Sequence, residues 1–361
     1  MLRLNNIKLT QFKNYTSKEF EFRDRVIGIC GLNGKGKTNL LDAIYYLCFT
    51  RSYFTRTDAQ NSQFNSEGFR IEGSLTDPNS SPQKVICIYR NGARKELIHN
   101  DSPYEKFSEH IGKFPCVFVA PDDVELISGL SEGRRKFIDT LISQMEPDYL
   151  QHLINYNKIL VQRNSLLKWF AEQNKQDWTL LDVLDDQIIP HGIAIFERRK
   201  LFARDMLPLL SQFYHRIANN EELVSVNYES QLHENSFREI LETSRDRDLY
   251  LQRTSSGIHK DDLVALLNNR PFKSFASQGQ RKSLLFALKL SEFELLKAKK
   301  GFAPLLLLDD LFEKLDDLRM KNLLTWVLEN SQGQVFITDT HYSRLVDSLK
   351  IFEGVQIIQL H

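Results

Sequence analysis

The sequence predicts an α/β fold: an N-terminal antiparallel sheet, an inserted helical arm, and a parallel-sheet core completed near the C-terminus. Three observations carry this. Residues 1–120 hold short apolar and alternating runs, among them Ile7-Lys-Leu9, Phe20-Glu-Phe22 and Val26-Ile-Gly-Ile-Cys30. Beyond Pro121 apolar residues recur at three- and four-residue spacing, as in Ile138, Leu141, Ile142 and Met145, the period of a helix with one buried face. Near the end, Leu305 to Leu308 and Val335 to Thr338 read as buried parallel strands on either side of a helix around Met320 to Glu329.

Taken in order, Val26 to Cys30 has no polar side chain and reads as a buried strand, with a helix beginning near Lys37. Phe69 to Leu75 and Lys84 to Arg90 alternate, and Asn91-Gly92 is a tight-turn signal leading into Lys95 to His99, so this part is expected to be an antiparallel meander. The helical texture runs to about Phe213. Strand texture resumes at Leu223 to Tyr228 and at Leu263 to Leu267, where Asn268-Asn269 marks a turn. The expected organisation is therefore residues 1–120 as the first half of a head domain, 121–215 as the helical arm, and 216–361 as the second half of the head.

A chain of 361 residues with 42% hydrophobic residues can bury a substantial core. Its apolar runs, such as Pro304 to Leu308, are too short to cross a bilayer, and Met-Leu-Arg-Leu-Asn at the start is no secretory signal, so the expectation is a cytoplasmic protein without membrane contact. Cys30, Cys48, Cys87 and Cys116 stand singly in apolar surroundings and are expected to be reduced core residues. Lys plus Arg equals Asp plus Glu at 47 each. With no general positive field, any nucleic-acid partner must be met by a local basic surface.

Gly31-Leu-Asn33-Gly34-Lys-Gly36-Lys37-Thr38 fits G-x-x-x-x-G-K-[ST], after an apolar strand and before the amphipathic Asn39 to Cys48. Backbone N–H groups can close around the β-phosphate of ATP, Lys37 can reach the β- and γ-phosphates, and the Thr38 hydroxyl can ligate Mg²⁺. Leu305-Leu-Leu-Leu308-Asp309-Asp310 is an apolar strand delivering two carboxylates to a sheet edge, a Walker B pattern. Asp309 would hold Mg²⁺, and Asp310 stands where ABC-type enzymes usually carry a Glu that polarises the attacking water. One methylene less shortens the reach, so slow hydrolysis is expected.

Ser277-Gln278-Gly279-Gln280-Arg281 precedes a helical stretch with Leu284, Leu285, Leu288 and Leu295, shortly before Walker B. Alone it reads as a helix cap. In the order P-loop, this motif, Walker B, it reads as the ABC signature, whose Ser hydroxyl and Gly N–H bind the γ-phosphate held by the other subunit.

Phe12-Lys-Asn14-Tyr15, Gly34-Lys-Gly-Lys-Thr-Asn39-Leu40-Leu41, Arg51-Ser52, Pro121-Asp122-Asp123, Gly133-Arg134-Arg135, Gly257-Ile-His259-Lys260-Asp261-Asp262 and Ser277-Gln-Gly-Gln280 stand in the order seen in the RecF family, so the chain resembles that family over nearly its whole length. The resemblance implies an ABC-type, Rad50-like ATPase head with a compact helical arm in place of a long coiled coil. It also implies ATP-dependent homodimerisation, binding of duplex DNA and single-strand/duplex junctions in recombinational gap repair, and RecR as partner, with RecO and RecA downstream. Asn39 joins the ATP-binding set on the same ground.

The family pattern is not matched everywhere. Phe312-Glu313-Lys314-Leu315-Asp316 keeps the Leu-Asp of the D-loop but has Glu313 where Ser is usual. His341 follows its strand at a slightly long offset, and is either the γ-phosphate sensor of the family or an exposed histidine at a helix start. Asp122 or Asp123 could contact Mg²⁺ or water in place of a Q-loop Gln, or cap the next helix, which is the preferred reading. Arg51 and Arg56 can lie near the phosphates or near DNA. Arg198-Arg199-Lys200, with Arg204, is a candidate DNA surface, although a charge run on a helix is more often a solvated face. Arg134-Arg135-Lys136 has the same two readings, and His259-Lys-Asp-Asp262 reads as a structural turn rather than a metal site. The competing classes are an SMC-like chromosome-structuring ATPase, the nucleotide-binding subunit of an ABC transporter, and a plain metabolic P-loop kinase, which would lack the Ser277-Gln-Gly-Gln280 motif. The 239 positions from Thr38 to Ser277 are long for the transporter, and sustained heptads for the SMC arm are missing.

Overall fold

The computed structural model describes every residue except 79–80, 174–175, 219–221, 311–316 and 331. The chain forms two compact units. The first comprises Met1–Asp123, Arg216–Asn219 and Lys282–His361, and the second Val124–His215 and Asn220–Arg281.

In the first unit, β1 (Arg3–Phe12), β2 (Tyr15–Glu21), β4 (Gly68–Thr76), β5 (Gln83–Arg90), β6 (Glu96–His99) and β7 (Ser102–Pro103) form an antiparallel sheet in the order β2-β1-β4-β5-β6-β7. Along β4 every second residue is buried, the pattern of a sheet with one face on a core. The second sheet is parallel, ordered β14-β3-β13-β12-β8, from β3 (Val26–Cys30), β8 (Cys116–Val119), β12 (Leu305–Leu308), β13 (Val335–Asp339) and β14 (Val355–Gln359). β3, β8, β12 and β13 are buried at every position, which accounts for the unbroken apolar sequences of β3, β8 and β12 and of Val335 to Ile337 in β13.

The helix Lys37–Phe49 is buried on nearly all sides, and its Leu40, Ile44, Tyr46 and Leu47 belong to one apolar core with Leu4, Ile7 and Phe12 of β1 and with Leu307 and Phe336 of the parallel sheet. The helix is therefore not the amphipathic one expected for Asn39 to Cys48: it carries little amphipathic contrast because both of its flanks face a sheet. Gly73 of β4 permits the close approach, since a Cβ there would lie 2.4 Å from Leu47 Cδ1. The parallel sheet brings the ends of β3, β12 and β13 to one edge, where an open α/β sheet places its ligand.

The second unit holds the helices Ser131–Met145 and Pro147–Gln173, the helix Trp178–Ala218 up to His215, and a small antiparallel sheet ordered β11-β10-β9, from β9 (Val224–Glu229), β10 (Asp262–Leu267) and β11 (Arg270–Pro271). The expected helical stretch and both expected strands are present. Their grouping differs from the expected boundaries: residues 222–281 belong to the same compact unit as the helical arm. The reason is tertiary. Arg134 bonds both carboxylate oxygens of Asp262 at 2.6 and 2.8 Å, and Arg135 donates to the Asp261 carbonyl at 2.6 Å, so β10 is tied to the helix Ser131–Met145. Strand periodicity identifies a strand but not the core it joins.

Buried charge organises this unit. Arg163 is fully buried and paired with Asp185 at 2.7 Å and Asp248 at 2.6 Å. All four cysteines are free and buried, as expected.

Candidate nucleotide-binding site

The P-loop runs from β3 into the helix Lys37–Phe49. Its Leu32 to Lys35 are exposed, while Gly36 and Lys37 are buried. Gly36 takes φ 98°, a left-handed conformation that favours glycine, and a Cβ there would collide with Asn14 Nδ2 at 2.6 Å and Tyr15 Oη at 2.8 Å. The β1–β2 turn therefore closes the base of the loop. Tyr15 donates its hydroxyl to the Gly36 carbonyl at 3.0 Å, and Asn39 Nδ2 donates to Asn14 Oδ1 at 2.7 Å. This gives the Phe12-Lys-Asn-Tyr15 motif a physical role: it braces the phosphate-binding turn. Lys37 Nζ lies across the loop, donating to the carbonyls of Gly31 at 2.7 Å and Leu32 at 3.3 Å.

Thr38 Oγ1 donates to Asp309 Oδ2 at 2.8 Å, and Thr338 Oγ1 donates to Asp309 Oδ1 at 2.8 Å. Thr338 Oγ1 in turn accepts the Asp310 N–H at 2.8 Å. Burial pushes the Asp309 carboxyl up to about 6, with Asp310 adding to the rise, while the bonds from Thr338 and Thr38 and the charge of Lys37 act against it. Asp310 has φ 42°, left-handed for a residue with a side chain. Thr338 was not singled out from sequence. Its role comes from register, because Leu308 pairs with Ile337 and so brings the residues after them side by side.

Asp339, one residue further, is held below the usual carboxylate range: burial raises it, but the Arg344 bonds at 2.5 and 2.8 Å and backbone N–H groups outweigh that. His341 is exposed at the start of the helix Tyr342–Leu349, with its N–H on Asp339 Oδ1 at 3.2 Å. Asp123 accepts the Ala120 N–H at 2.9 Å and points into the buried interior, while Asp122 is exposed. Asp123 therefore bonds back to Ala120, while the next helix, Glu125–Ser128, starts at Val124 with no side-chain cap. The expected D-loop, Phe312 to Asp316, lies outside the described residues.

In the second unit, Ser277 and Gln280 form a reciprocal cap. Ser277 N–H donates to Gln280 Oε1 at 2.7 Å, and Gln280 N–H donates to Ser277 Oγ at 3.2 Å. Gln280 Nε2 donates to Glu222 Oε1 at 2.7 Å, and Tyr214 donates its hydroxyl to Glu222 Oε2 at 2.7 Å. Ser277 and Gln278 are exposed at the start of the helix Gln278–Lys300, and Gly279 is half-buried. The helix-cap chemistry is thus present, and it leaves Ser277 and Gln278 exposed at the helix N-terminus.

The basic candidates separate. Arg199 does not belong to a DNA surface: it is buried, bonded to Asp139 at 3.0 Å, to Asp261 at 3.2 Å and to the Ile258 carbonyl at 2.8 Å. Successive helix positions turn by roughly 100°. Arg198 and Lys200 are exposed while Arg199 turns inward. Arg198 pairs with Glu146 at 3.0 Å and Lys200 lies over the Phe196 ring. Arg51 and Arg56 are exposed in the segment after the P-loop helix. His259 is a structural residue, between Tyr156 Oη at 2.9 Å and the Thr254 carbonyl at 3.1 Å. No His, Cys, Asp and Glu group among the described residues has a metal-cluster arrangement. Among the described residues no helix is long and apolar enough to cross a membrane.

A family model described as an AAA domain matches residues 6–332. The chain is 42% identical over 343 residues to a DNA replication and repair protein RecF of Flavobacterium johnsoniae, covering 95% of each chain. It is 40% identical over 341 residues to a protein of the same name in Cytophaga hutchinsonii, covering 94% of this chain and 90% of that one. A solved structure of the recombination mediator protein RecF with ATP, from the RecFOR pathway, superimposes with a TM-score of 0.90 at 30% identity, covering 100% of this chain and 96% of the other. An Smc head domain from Pyrococcus furiosus is 14% identical with a TM-score of 0.57, a likeness of fold alone.

Proposed function

Because the chain belongs to the RecF family, we propose that it is an ATP-dependent DNA-binding protein of recombinational gap repair, which pairs with a second copy on ATP and hydrolyses ATP slowly. The observation that carries the reading is the P-loop brought against Walker B, with Thr38 Oγ1 at 2.8 Å from Asp309 Oδ2 beside the buried Lys37. A hydroxyl and a carboxylate are the hard oxygen donors that suit Mg²⁺, so Thr38 and Asp309 are the residues to hold it. When bound, Mg²⁺ neutralises charge on the β- and γ-phosphates.

The chain's own residues supply the rest. The exposed backbone of Leu32 to Lys35, including Asn33 and Gly34, faces phosphate oxygens with N–H groups at a helix N-terminus. Lys37 exchanges its loop carbonyls for phosphate oxygens. Asp310, its backbone fixed by Thr338, takes the proton of the attacking water. The second copy's Ser277 segment meets the γ-phosphate from the other side, which is why association follows ATP. His341 is proposed as a γ-phosphate sensor at the same sheet edge. Arg51, Arg56, Arg198 and Lys200 supply DNA-phosphate contacts, and RecR, with RecO and RecA downstream, completes the partner set that the family implies.

The test is binding of a gapped duplex, read by fluorescence anisotropy at several salt concentrations with ATP, with ADP and without nucleotide, alongside sizing of the protein. Affinity should rise with ATP and fall steeply with salt, since phosphate contacts release counterions. Equal affinity in the three nucleotide conditions would overturn the reading.

A further inference from the structure

Three sequence motifs each contribute a side chain bonded to residues other than those of the P-loop: Lys13 in Phe12-Lys-Asn-Tyr15, Ser52 in Arg51-Ser52, and Asp123 in Pro121-Asp-Asp123. In the first unit these side chains join one chain of contacts. Asp42, fully buried on the P-loop helix, accepts Lys13 Nζ at 2.5 Å and Ser52 Oγ at 2.7 Å on Oδ2, and the Tyr53 N–H at 2.7 Å on Oδ1. The Tyr53 ring stacks on Phe118 of β8 at 4.5 Å, and its hydroxyl donates to Asp123 Oδ1. Asp123 Oδ2 lies 3.5 Å from Lys289 Nζ, and Lys289 lies 3.7 Å from Glu292 Oε2. Lys289 and Glu292 are buried on the helix Gln278–Lys300, the helix that the Ser277 motif opens.

Asp123 also hangs from the strand beside Walker B, because the Asp309 N–H donates to the Val119 carbonyl at 2.9 Å. The chain of contacts therefore touches the P-loop helix, the Walker B neighbour strand and the signature helix in turn. Burying an ammonium and two carboxylates costs desolvation that apolar side chains of similar volume would avoid. A stability role alone does not call for charges here. A hydroxyl, a carboxylate and an ammonium in series hold their neighbours by direction and not only by volume, so a displacement at one end must be answered at the other.

We propose that Tyr53, Asp123 and Lys289 are positioning residues that pass the state of the P-loop helix to the helix Gln278–Lys300 and so set the Ser277 segment when ATP is bound. The proposal rests on the ATP-gated pairing described above. Tyr53→Phe is its sharpest test, since it deletes one oxygen and keeps the ring stack. The full chain is assayed for melting temperature, affinity for a fluorescent ATP analogue, turnover, and sedimentation with ATP and Mg²⁺.

Tyr53→Phe is expected to leave melting temperature and nucleotide affinity as in the parent, and to lower turnover by about tenfold at unchanged KM while weakening ATP-dependent pairing. The triple variant Asp123→Asn, Lys289→Gln, Glu292→Gln, which removes the ammonium and both carboxylates together, is expected to show the same split. Parental turnover and pairing in Tyr53→Phe overturns the relay. So does a loss that merely follows melting temperature or nucleotide affinity, the mark of a structural role. If the parent itself fails to pair on ATP, the pairing reading falls instead, and the turnover comparison still decides the relay.

Discussion

Thr38 Oγ1 and Asp309 Oδ2 lie 2.8 Å apart although 271 positions separate them in the chain. The contact joins the last residue of the phosphate-binding motif to the first carboxylate after β12, and it exists only when the halves of the first unit flanking the insertion have folded together. Everything chemical in the site depends on this join.

Lys37→Met should abolish tight ATP binding and keep the fold, because the hydrogen bonds of Lys37 Nζ among the described residues go to the loop carbonyls of Gly31 and Leu32. Two charge-assisted hydrogen bonds to phosphate are worth about 3 kcal/mol or more together, a loss of about 100-fold or greater in affinity. Isothermal titration with ATP on a variant that melts like the parent checks it; parental affinity would remove Lys37 from the site.

Asp310→Asn should slow hydrolysis by roughly 10²- to 10⁴-fold, the usual contribution of a positioned base. ATP affinity should stay near parental, since Asp309 is untouched, and the ATP-bound pair should persist longer in a sedimentation time course. Unchanged single-turnover hydrolysis would strip Asp310 of its role.

Ser277→Arg should leave ATP binding by the single chain intact and eliminate ATP-dependent pairing, as the exposed hydroxyl would be replaced by a bulky cation that also removes the cap on the Gln280 N–H. Sizing with and without ATP decides it. A variant that still pairs would confine Ser277 to capping.

Folding stability should fall as pH drops from about 6.5 toward about 4, with His110 and His259 among the causes. Burial is the leading reason each is pushed down to about 4. In His259, Nε2 must donate to the Thr254 carbonyl, so Nδ1 accepts from the Tyr156 hydroxyl and cannot take a proton without losing that bond. The folded value lies below the unfolded one, so the unfolded chain binds the proton first. The stabilisation is complete above about pH 6.5 and is lost as pH falls, by at most about 1.4 kcal/mol per pH unit for each histidine. Urea unfolding of the parent and of His259→Gln across this range should give curves that converge toward acid pH; a constant gap would contradict the assignment.

The P-loop, Walker B and signature were legible because each is a local word: its residues sit within a few positions and its flanking strand or helix is visible in the apolar pattern. Thr338 was not, since its importance arises from pairing β13 beside β12 in one register. Arg199 was grouped with Arg198 and Lys200 because a run of charges says nothing about which third of the helix turns toward the core. The strands β9 and β10 were found, but the compact unit they share with the arm was not legible for a similar reason: the bonds from Arg134 and Arg135 that bind β10 to the arm join residues more than a hundred positions apart.

The Gln280 side chain is held at both ends, by Glu222 on its amide nitrogen and by the Ser277 N–H on its oxygen. Such an amide cannot flip without breaking both bonds, so the Ser277 turn keeps one shape before any partner arrives. Association then surrenders little rotamer freedom at this point, and the ordering cost that would otherwise weaken the complex is met during folding. Glu222 follows the arm helix that carries its other anchor, Tyr214. On the proposed pairing through Ser277, the readiness of this turn is an inherited property of the insertion, and a family member with a reshaped arm end would pair with a different affinity even with identical motif residues.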